Sequence, residues 1–400
     1  MHIAKKIISI FLKTVASVVM IAITAIIITS VSLVYTFDHP SPFSGPDIFN
    51  PYRDLDTAYC WKRANFHTHT RVKSIFNECN YWPAEVYESL EKFGYDIITF
   101  SNHNRLTEHP FDPSLQVNVY EHGYNLLKFH KLVFGSERVN RFDNLMPIFA
   151  FQKQFQMDML KRESDIIVFN HPLRTEGLTP GQMQKLSGYR IIELDSGKST
   201  ENEYWDWALS AGHYSFGLAN DDLHYPDRSS RIAVRCSFLS IPSAEYKDIR
   251  KSLLEGSYYS MRVPDYGSGE WETKYAMNME LPSVMDIGMK GDTIFMSLSE
   301  IADSIKVTGQ DHTTLEIVEH ADHVEYEMKP DDPYARLTAY FGKGEVIYSN
   351  PFARYDASVS PGPYVEGTHS VNIFLTIMYN LLLTILTAGM VTLLIKTVKK

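Results

Sequence analysis

The sequence predicts an α/β fold with a small all-β appendage, held between two membrane helices. Three observations carry this expectation. From about Asp56 to about Pro264, short apolar runs alternate with helical patterns, as in an α/β sheet or barrel. After about Gly267 the runs become short, alternating and separated by turn residues. Outside both regions lie two long stretches that are apolar on every face.

The first stretch, Thr14 to Tyr35, runs 22 residues without a charge, and the second, Ile373 to Ile395, runs 23 with only Asn380 strongly polar. Each is long enough to cross a hydrocarbon core of ~30 Å as a helix. A cleaved signal peptide has a shorter apolar core and a small-x-small site after it, so the first stretch is expected to be an uncleaved anchor. Lys5, Lys6 and Lys13 precede it, and Asp38 and Asp47 follow. Glu366 precedes the second, and Lys396, Lys399 and Lys400 follow. The bias places both termini in the cytoplasm and everything between them in the periplasm or outside the cell. DHPSPFSGPD and DASVSPGPYVEGTH, rich in Pro, Gly and Ser, are expected to be flexible tethers to the two spans. The expected organisation is therefore a transmembrane helix at 14–35, an α/β domain at 56–265, a β-sandwich at 266–356 and a transmembrane helix at 373–395.

Within the α/β domain, ANFHTHT is strand-like, and PAEVYESLEKFG is helical with Val86, Leu90 and Phe93 on one face. YDIITFSNHN is strand then loop, and LQVNVYEHG and KFHKLVFGS are strands. IFAFQKQFQMDMLKRES is a helix, DIIVFNHP strand then loop, YRIIELDSG a strand and NEYWDWALSAG a helix. HYSFGLANDDLH is strand then loop, RIAVRCSFLSI a last strand and AEYKDIRKSLLEG a last helix. In the appendage, DTIFMSLSE, SIKVTG, TTLEIVEH, HVEYEMKP, ARLTAYF and EVIYSNPF suggest a sandwich of six or seven strands.

The residues that carry chemistry stand at or near the ends of these strands. They are His67, His69, His103, Glu121, His130, His171, Asp222 and His224. Imidazoles and carboxylates are ligands for zinc, manganese or iron. His-x-His on a strand turns both rings to one face, because strand side chains alternate. Strand C-terminal ends are where barrel enzymes build their sites. His109, His213, His312, His320, His323 and His369 stand outside this pattern and are expected to be core or surface residues. Cys60, Cys79 and Cys236 match no metal or redox spacing. Cys60 and Cys79 are expected to be free thiols rather than a disulfide, and Cys236 a small buried core residue.

In this arrangement the chain resembles the PHP (polymerase and histidinol phosphatase) family. ANFHTHT matches its opening His-x-His, GYDIITFSNHN its second motif with His103, VFNHP its third with His171, and GLANDDLHY its closing motif with Asp222 and His224. The resemblance runs from about Asn65 to the Ser349-Asn350-Pro351 strand. It implies a distorted (β/α)7, TIM-like barrel and a phosphoesterase, a phosphatase or phosphodiesterase, that uses two or three divalent ions. His67, His69, Glu121 and Asp222 would hold one ion, with Glu121 bridging. His103 and His224 would hold a second, and His130 and His171, with Glu121, a third. A metal-bound hydroxide would attack phosphorus. Asp222 and His224 would belong to the catalytic set, with Arg174 and Lys198 clamping the phosphate.

Three further assignments and two departures from the family pattern follow. Glu121 followed by His130 fits the bridging carboxylate better than Glu137 of FGSER. Asp221 is expected to be a supporting partner or loop cap, and His122 to point away from the site. Asn102 stands where the family usually has Asp, and is expected to support rather than ligate. The first motif normally continues to another Asp or His, whereas RVKSIFNECNYW follows here, with Asn77, Glu78 and Asn80 as candidates and Glu78 able to supply a carboxylate. A net charge of −10 argues against general nucleic-acid binding, leaving a phosphate ester and the membrane as expected partners. A non-catalytic metal-binding ectodomain and a hydrolase of non-phosphate bonds are the alternative readings.

Overall fold

The computed structural model describes residues 2–55, 60–75, 77–195, 202–364 and 368–399. It opens with helix α1 (His2–Thr29), then strands β1 (Tyr35–Phe37), β2 (Asp47–Phe49) and β3 (Trp61–Asn65). Helix α2 (Pro83–Glu91) starts at a proline, whose missing N–H is no loss in a first turn, and Glu85 accepts the Trp82 N–H at 2.6 Å. Its apolar face buries Val86 and Leu90, and Phe93 beyond it, as the spacing predicts. β4 (Ile97–Ile98), β5 (Val119–His122) and β6 (Lys131–Phe134) follow, all fully buried. α3 (Ala150–Lys161) leads back into β7 (Ile166–Phe169). Next come α4 (Pro180–Met183), β8 (Ile191–Glu193), α5 (Glu203–Ser210), β9 (Phe216–Leu218), β10 (Arg235–Ser240), α6 (Tyr246–Glu255) and β11 (Tyr258–Arg262). Gly256 closes α6 at φ +82°, where a Cβ would also collide with the Phe216 ring. The remainder is α7 (Trp271–Asn278), β12 (Val284–Lys290), β13 (Thr293–Thr308), β14 (Thr314–Glu327), β15 (Tyr334–Tyr340), β16 (Val346–Tyr348), β17 (Phe352–Tyr355), β18 (His369–Val371) and α8 (Ile373–Lys399).

The architecture is mixed α/β, with two main sheets. The larger has the order β12-β13-β15-β16-β11-β10-β3-β4, with β14 paired to β13, and β17 joining β15 to β2. The smaller has the order β5-β6-β7-β8-β9, antiparallel from β5 to β7 and parallel from β7 to β9. Two isolated parallel bridges, His103 to Glu121 and Thr68 to Leu223, link them just past the strand ends. The ladders are therefore not continuous, and the sheets meet where the candidate ligands stand.

Expectation and structure differ in several places. The predicted span at 14–35 is displaced: α1 ends at Thr29, and Tyr35 lies in β1, which is held by its pairing with β18. The runs DTIFMSLSE and SIKVTG fuse into one strand, β13, and TTLEIVEH and HVEYEMKP into β14, because a continuous hairpin ladder carries each pair through its irregularities. Helix α7 stands at the start of the predicted sandwich. β11 pairs with β16, so one sheet crosses the predicted boundary at 265/266. Nor is the segment after β1 a loose tether. Phe43 is buried against Tyr214 and Tyr334, and Gly45, at φ +137°, leaves no room for a Cβ beside the Tyr355 carbonyl. One aromatic anchor outweighs a composition rich in Pro, Gly and Ser. Cys60, Cys79 and Cys236 are free thiols, with Cys236 fully buried.

Buried polar groups join the C-terminal strands to the rest. Asn350 accepts from Gly217 N–H at 2.9 Å and donates to the carbonyls of Gly256 and Tyr258 at 2.8 and 3.0 Å. Asp206 of α5 receives the Arg336 guanidinium of β15 at 2.8 and 2.6 Å, the Tyr334 hydroxyl at 3.1 Å, and His312. Burial works against the Asp206 charge, yet Arg336 and His312 hold its carboxyl below the ordinary range. A depressed carboxyl adds stability above its unfolded pKa, and loses that contribution as pH falls through the folded value. Asp206→Ala would leave Arg336 buried without its carboxylate, at a cost of about 3–5 kcal/mol. Thermal melts at neutral pH should show a markedly lower midpoint, and the gap from wild type should narrow in acid.

Candidate metal centre

Strand alternation sends His67 and His69 to one side at the end of β3, while Thr68 between them makes the bridge to Leu223. Backbone bonds from His69 N to Leu223 O (2.8 Å) and from Leu223 N to His67 O (3.1 Å) hold the first motif against the last. Past β4, Asn102 accepts from Thr70 N at 2.8 Å and donates to the hydroxyls of Thr70 and Thr107 at 2.7 and 2.8 Å. It is a support, as expected, and places His103. β5 then presents Glu121 inward, while His122 turns away to the Phe142 carbonyl at 2.8 Å. His130 lies just before β6, and His171 just after β7.

Glu121 is the centre of the group. Its Oε2 lies 3.2 Å from His67 Nε2, 3.2 Å from His69 Nε2 and 3.0 Å from His103 Nε2. Its Oε1 lies 3.1 Å from His130 Nδ1 and 3.2 Å from His171 Nε2, and receives Asn170 Nδ2 at 3.0 Å. Asp222 Oδ1 is 3.2 Å from Nε2 of His67, His69 and His224, and the His224 ring stacks on His69 at 4.1 Å. Glu78 Oε2 stands 3.5 Å from His103 Nε2 and 3.6 Å from His69 Nδ1. Glu78 thus places a carboxylate beside His69 and His103. Glu137 is exposed, beyond the far end of β6, and takes no part in the group. Among the described residues the remaining histidines stay outside it; His213, His312 and His369 bond to Gln184, Asp206 and Asp158.

The donor set fits divalent cations. His67 Nε2, His69 Nε2 and Asp222 Oδ1 are buried and make no hydrogen bond, although they converge with Glu121. Such atoms are costly unless something binds their lone pairs. Among the described residues, three overlapping sets each gather their donor atoms within 4.8 Å of one another: His67, His69, Glu121 and Asp222; His69, Glu78 and His103; His103, Glu121 and His130. Burial would raise the Glu121 carboxyl, but His103, His67 and His130 hold it well below the usual range. Burial opposes charge on His67 and His69, yet the facing carboxylates raise His67 well above its ordinary value and push His69 up to about 9. Burial prevails at His103, which is driven down to about 3.

A second ring of contacts positions these ligands, and sequence reasoning missed it. Glu193, at the end of β8, is 2.9 Å from His67 Nδ1 and accepts His171 N–H at 2.8 Å and Asn220 Nδ2 at 3.3 Å. The signal was one acid in an otherwise apolar strand, and the asparagine before His171. His171 and Asp222 have φ of +27° and +51°, strained values for non-glycine residues, which the surrounding bonds maintain. Asp221 caps a loop, accepting from the N–H groups of Ala233, Val234 and Arg235 at 2.8–2.9 Å, and from Asn65. Arg174 pairs with the outer oxygen of Asp222, and with Glu78 and His224 lines a cavity of about 750 Å³. Lys198, the other predicted clamp, lies outside the described residues.

No protein-family model and no curated protein matches the chain. Among solved structures it is similar to a two-domain protein from Bacteroides vulgatus ATCC 8482, described as containing a predicted PHP-like metal-dependent phosphoesterase. The identity is 14%, covering 79% of this chain and 100% of that one, with a TM-score of 0.39. It is also similar to the lesion-specific endonuclease PfuEndoQ from Pyrococcus furiosus, at 13% identity over 49% of this chain and 56% of that one, with a TM-score of 0.33. At these values the site's own geometry carries the functional argument.

Two outcomes are expected. Glu193→Gln should weaken divalent-ion affinity about 10–100-fold without unfolding the protein, read by chelator competition and a thermal melt. Because a cation must displace the protons on His67 and His69, loading should release acid and weaken as pH falls, which calorimetry in buffers of different ionisation enthalpy would record.

Proposed function

We propose that the chain is a metal-dependent phosphoesterase. The observation that carries this reading is the single buried carboxylate of Glu121, with two or three imidazoles facing each oxygen. A structural zinc site closes with four ligands, whereas this set exceeds that number and opens on a cavity. His67, His69, Glu121 and Asp222 would hold one ion. His103, with Glu78 and His224, would hold a second, and His130 and His171, on the other Glu121 oxygen, a third. Zinc, manganese or iron suits these donors. When bound, such ions activate water and offset charge on phosphoryl oxygens.

The protein's own residues orient and hold. Glu193 sets the His67 ring and the strained His171 backbone, and Asn170 fixes the Glu121 carboxylate. Arg174, anchored on Asp222 and facing the cavity, is the group that would bind phosphoryl oxygens and keep the ester in line. The two bridges between the sheets support a distorted barrel, whose strand ends carry the site. Two apolar helices support membrane tethering, with the domain between them outside the cytoplasm.

The test is hydrolysis of chromogenic phosphate mono- and diesters by the full-length protein with manganese, zinc or iron. Metal-dependent turnover should fall by ~10³-fold or more in His69→Ala and His171→Ala with the fold retained, the scale of losing an electrostatic catalyst. Full activity in His171→Ala, or no turnover with any metal in a folded protein, would overturn the reading. Arg174→Ala should raise KM more than it lowers kcat if it chiefly binds the ground-state phosphate.

A further inference from the structure

The apolar helices α1 and α8 are docked on the segment that leads into α3. Asn144 donates to the carbonyls of Thr29 and Val31, and Leu145 N–H to the Thr29 hydroxyl at 3.3 Å. Gln152 donates to the Tyr379 hydroxyl at 3.1 Å, which donates to the Ser30 carbonyl at 3.0 Å. Phe151 meets Tyr379 edge-on at 5.1 Å and stacks on Phe149 at 5.2 Å. β1 and β18 pair beside these helix ends.

This segment lies at the metal-bearing end of the smaller sheet. His122 at the end of β5 pairs with Lys131 at the start of β6, and Lys131 with Phe169 at the end of β7. Glu121, His130 and His171 stand at that same end. Gln156 of α3 accepts from Lys131 Nζ at 2.6 Å, so the middle of α3 flanks it too. From there the contacts run straight to a candidate ligand. Leu126 N–H bonds to Leu145 O at 2.8 Å, Tyr124 N–H to Asp143 at 2.8 Å, and the Tyr124 ring lies 4.8 Å from that of His103.

The direction of α8 decides which way this end faces. His369, before α8, bonds to Asp158 in the second half of α3, whereas Tyr379 bonds to Gln152 in its first turn. The helix thus runs past the start of α3 and continues from Tyr379 to Lys399, roughly 30 Å at 1.5 Å per residue. Leu126, Ile148 and Phe149 are each half or more exposed on this rim, and Phe149 is continuous with α8 through Phe151 and Tyr379.

We infer that the mouth of the metal centre faces the bilayer holding α1 and α8, and that its substrate is a phosphoester borne by a lipid headgroup. The inference rests on the phosphoesterase and membrane-tether readings above. Apolar rim side chains enter the headgroup and acyl boundary to a depth of about 5–10 Å, which brings a headgroup phosphate to the cavity. In the hydrolysis the oxygen of water bonds to phosphorus, the ester P–O bond breaks, and the leaving alcohol takes a proton from that water.

The test uses the full chain, loaded with manganese, in phosphatidylcholine nanodiscs containing phosphatidate and phosphatidylglycerol. A nitroxide on Leu126→Cys, with exposed Cys60→Ser, should report an interfacial depth, whereas one on Glu163→Cys, beyond the far end of α3, should report water. Release of phosphate or headgroup alcohol should accompany it. Ile148→Ser with Phe149→Ser should lower lipid turnover severalfold and leave hydrolysis of a soluble chromogenic ester unchanged. A water-exposed label at Leu126, or a chain that does not insert, overturns the inference. An interfacial label with cleavage of the soluble ester alone overturns the lipid substrate but keeps the phosphoesterase. An interfacial label with neither ester cleaved overturns the phosphoesterase reading, and the lipid substrate with it.

Discussion

The Glu121 carboxylate is the constraint around which the α/β part of this molecule is built. It is almost fully buried, and five imidazole nitrogens stand within 3.2 Å of its two oxygens. A charge taken out of water at that depth is tolerated only when opposite charge and hydrogen bonds surround it. Supplying them requires the ends of β3, β4, β5 and β7 and the start of β6 to meet at one place. The antiparallel pairing of β5 with β6 serves this directly, because the chain reverses between His122 and Lys131 and returns His130 to the Glu121 end of the sheet. The two bridges between the sheets fall at the same spot. Asn170 and Glu193 complete the surroundings, and the strained backbones of His171 and Asp222 are held by that network.

A second set of buried polar groups joins the C-terminal strands to the sheet behind the site. Asp206 with Arg336, and Asn350 between β9 and β11, cross what composition marks as a domain boundary. Replacing such pairs by apolar residues is often neutral, but leaving one partner unmatched is severe. They therefore specify where the strands from β15 to β17 must sit. With β16 hydrogen-bonded to β11, those strands extend the same sheet that leads through β10 and β3 to His67 and His69.

The same logic links the site to the apolar helices. Asn144 and Gln152 satisfy carbonyls at the end of α1 that have no partner within the helix, and Tyr379 completes the set from α8. Those residues belong to the connection that also packs on the Tyr124 loop beside His103. One connection therefore touches both the apolar helices and the surroundings of His103.

The mixed α/β class, the order of the helices and strands from β3 to α6 apart from the short α4, and the converging set His67, His69, His103, Glu121, His130, His171, Asp222 and His224 were legible in the residues alone. Strand alternation and ordered motifs are local signals, and each needs only a few neighbouring residues. Glu193, Asn170 and the pairing of Arg174 with Asp222 were not, because each acts on a partner far away in the chain. The strands of the hairpin β13–β14 could not be joined by pattern, since a cross-strand ladder rather than local alternation carries them through the bulges. Tertiary structure alone decided that Glu78 turns toward His103, that Phe43 pins a segment whose composition reads as a tether, and that the middle of α3 stands at the same sheet end as the candidate ligands. Periodicity determines which face of a strand or helix is apolar, whereas long-range hydrogen bonds between buried groups determine what that face meets.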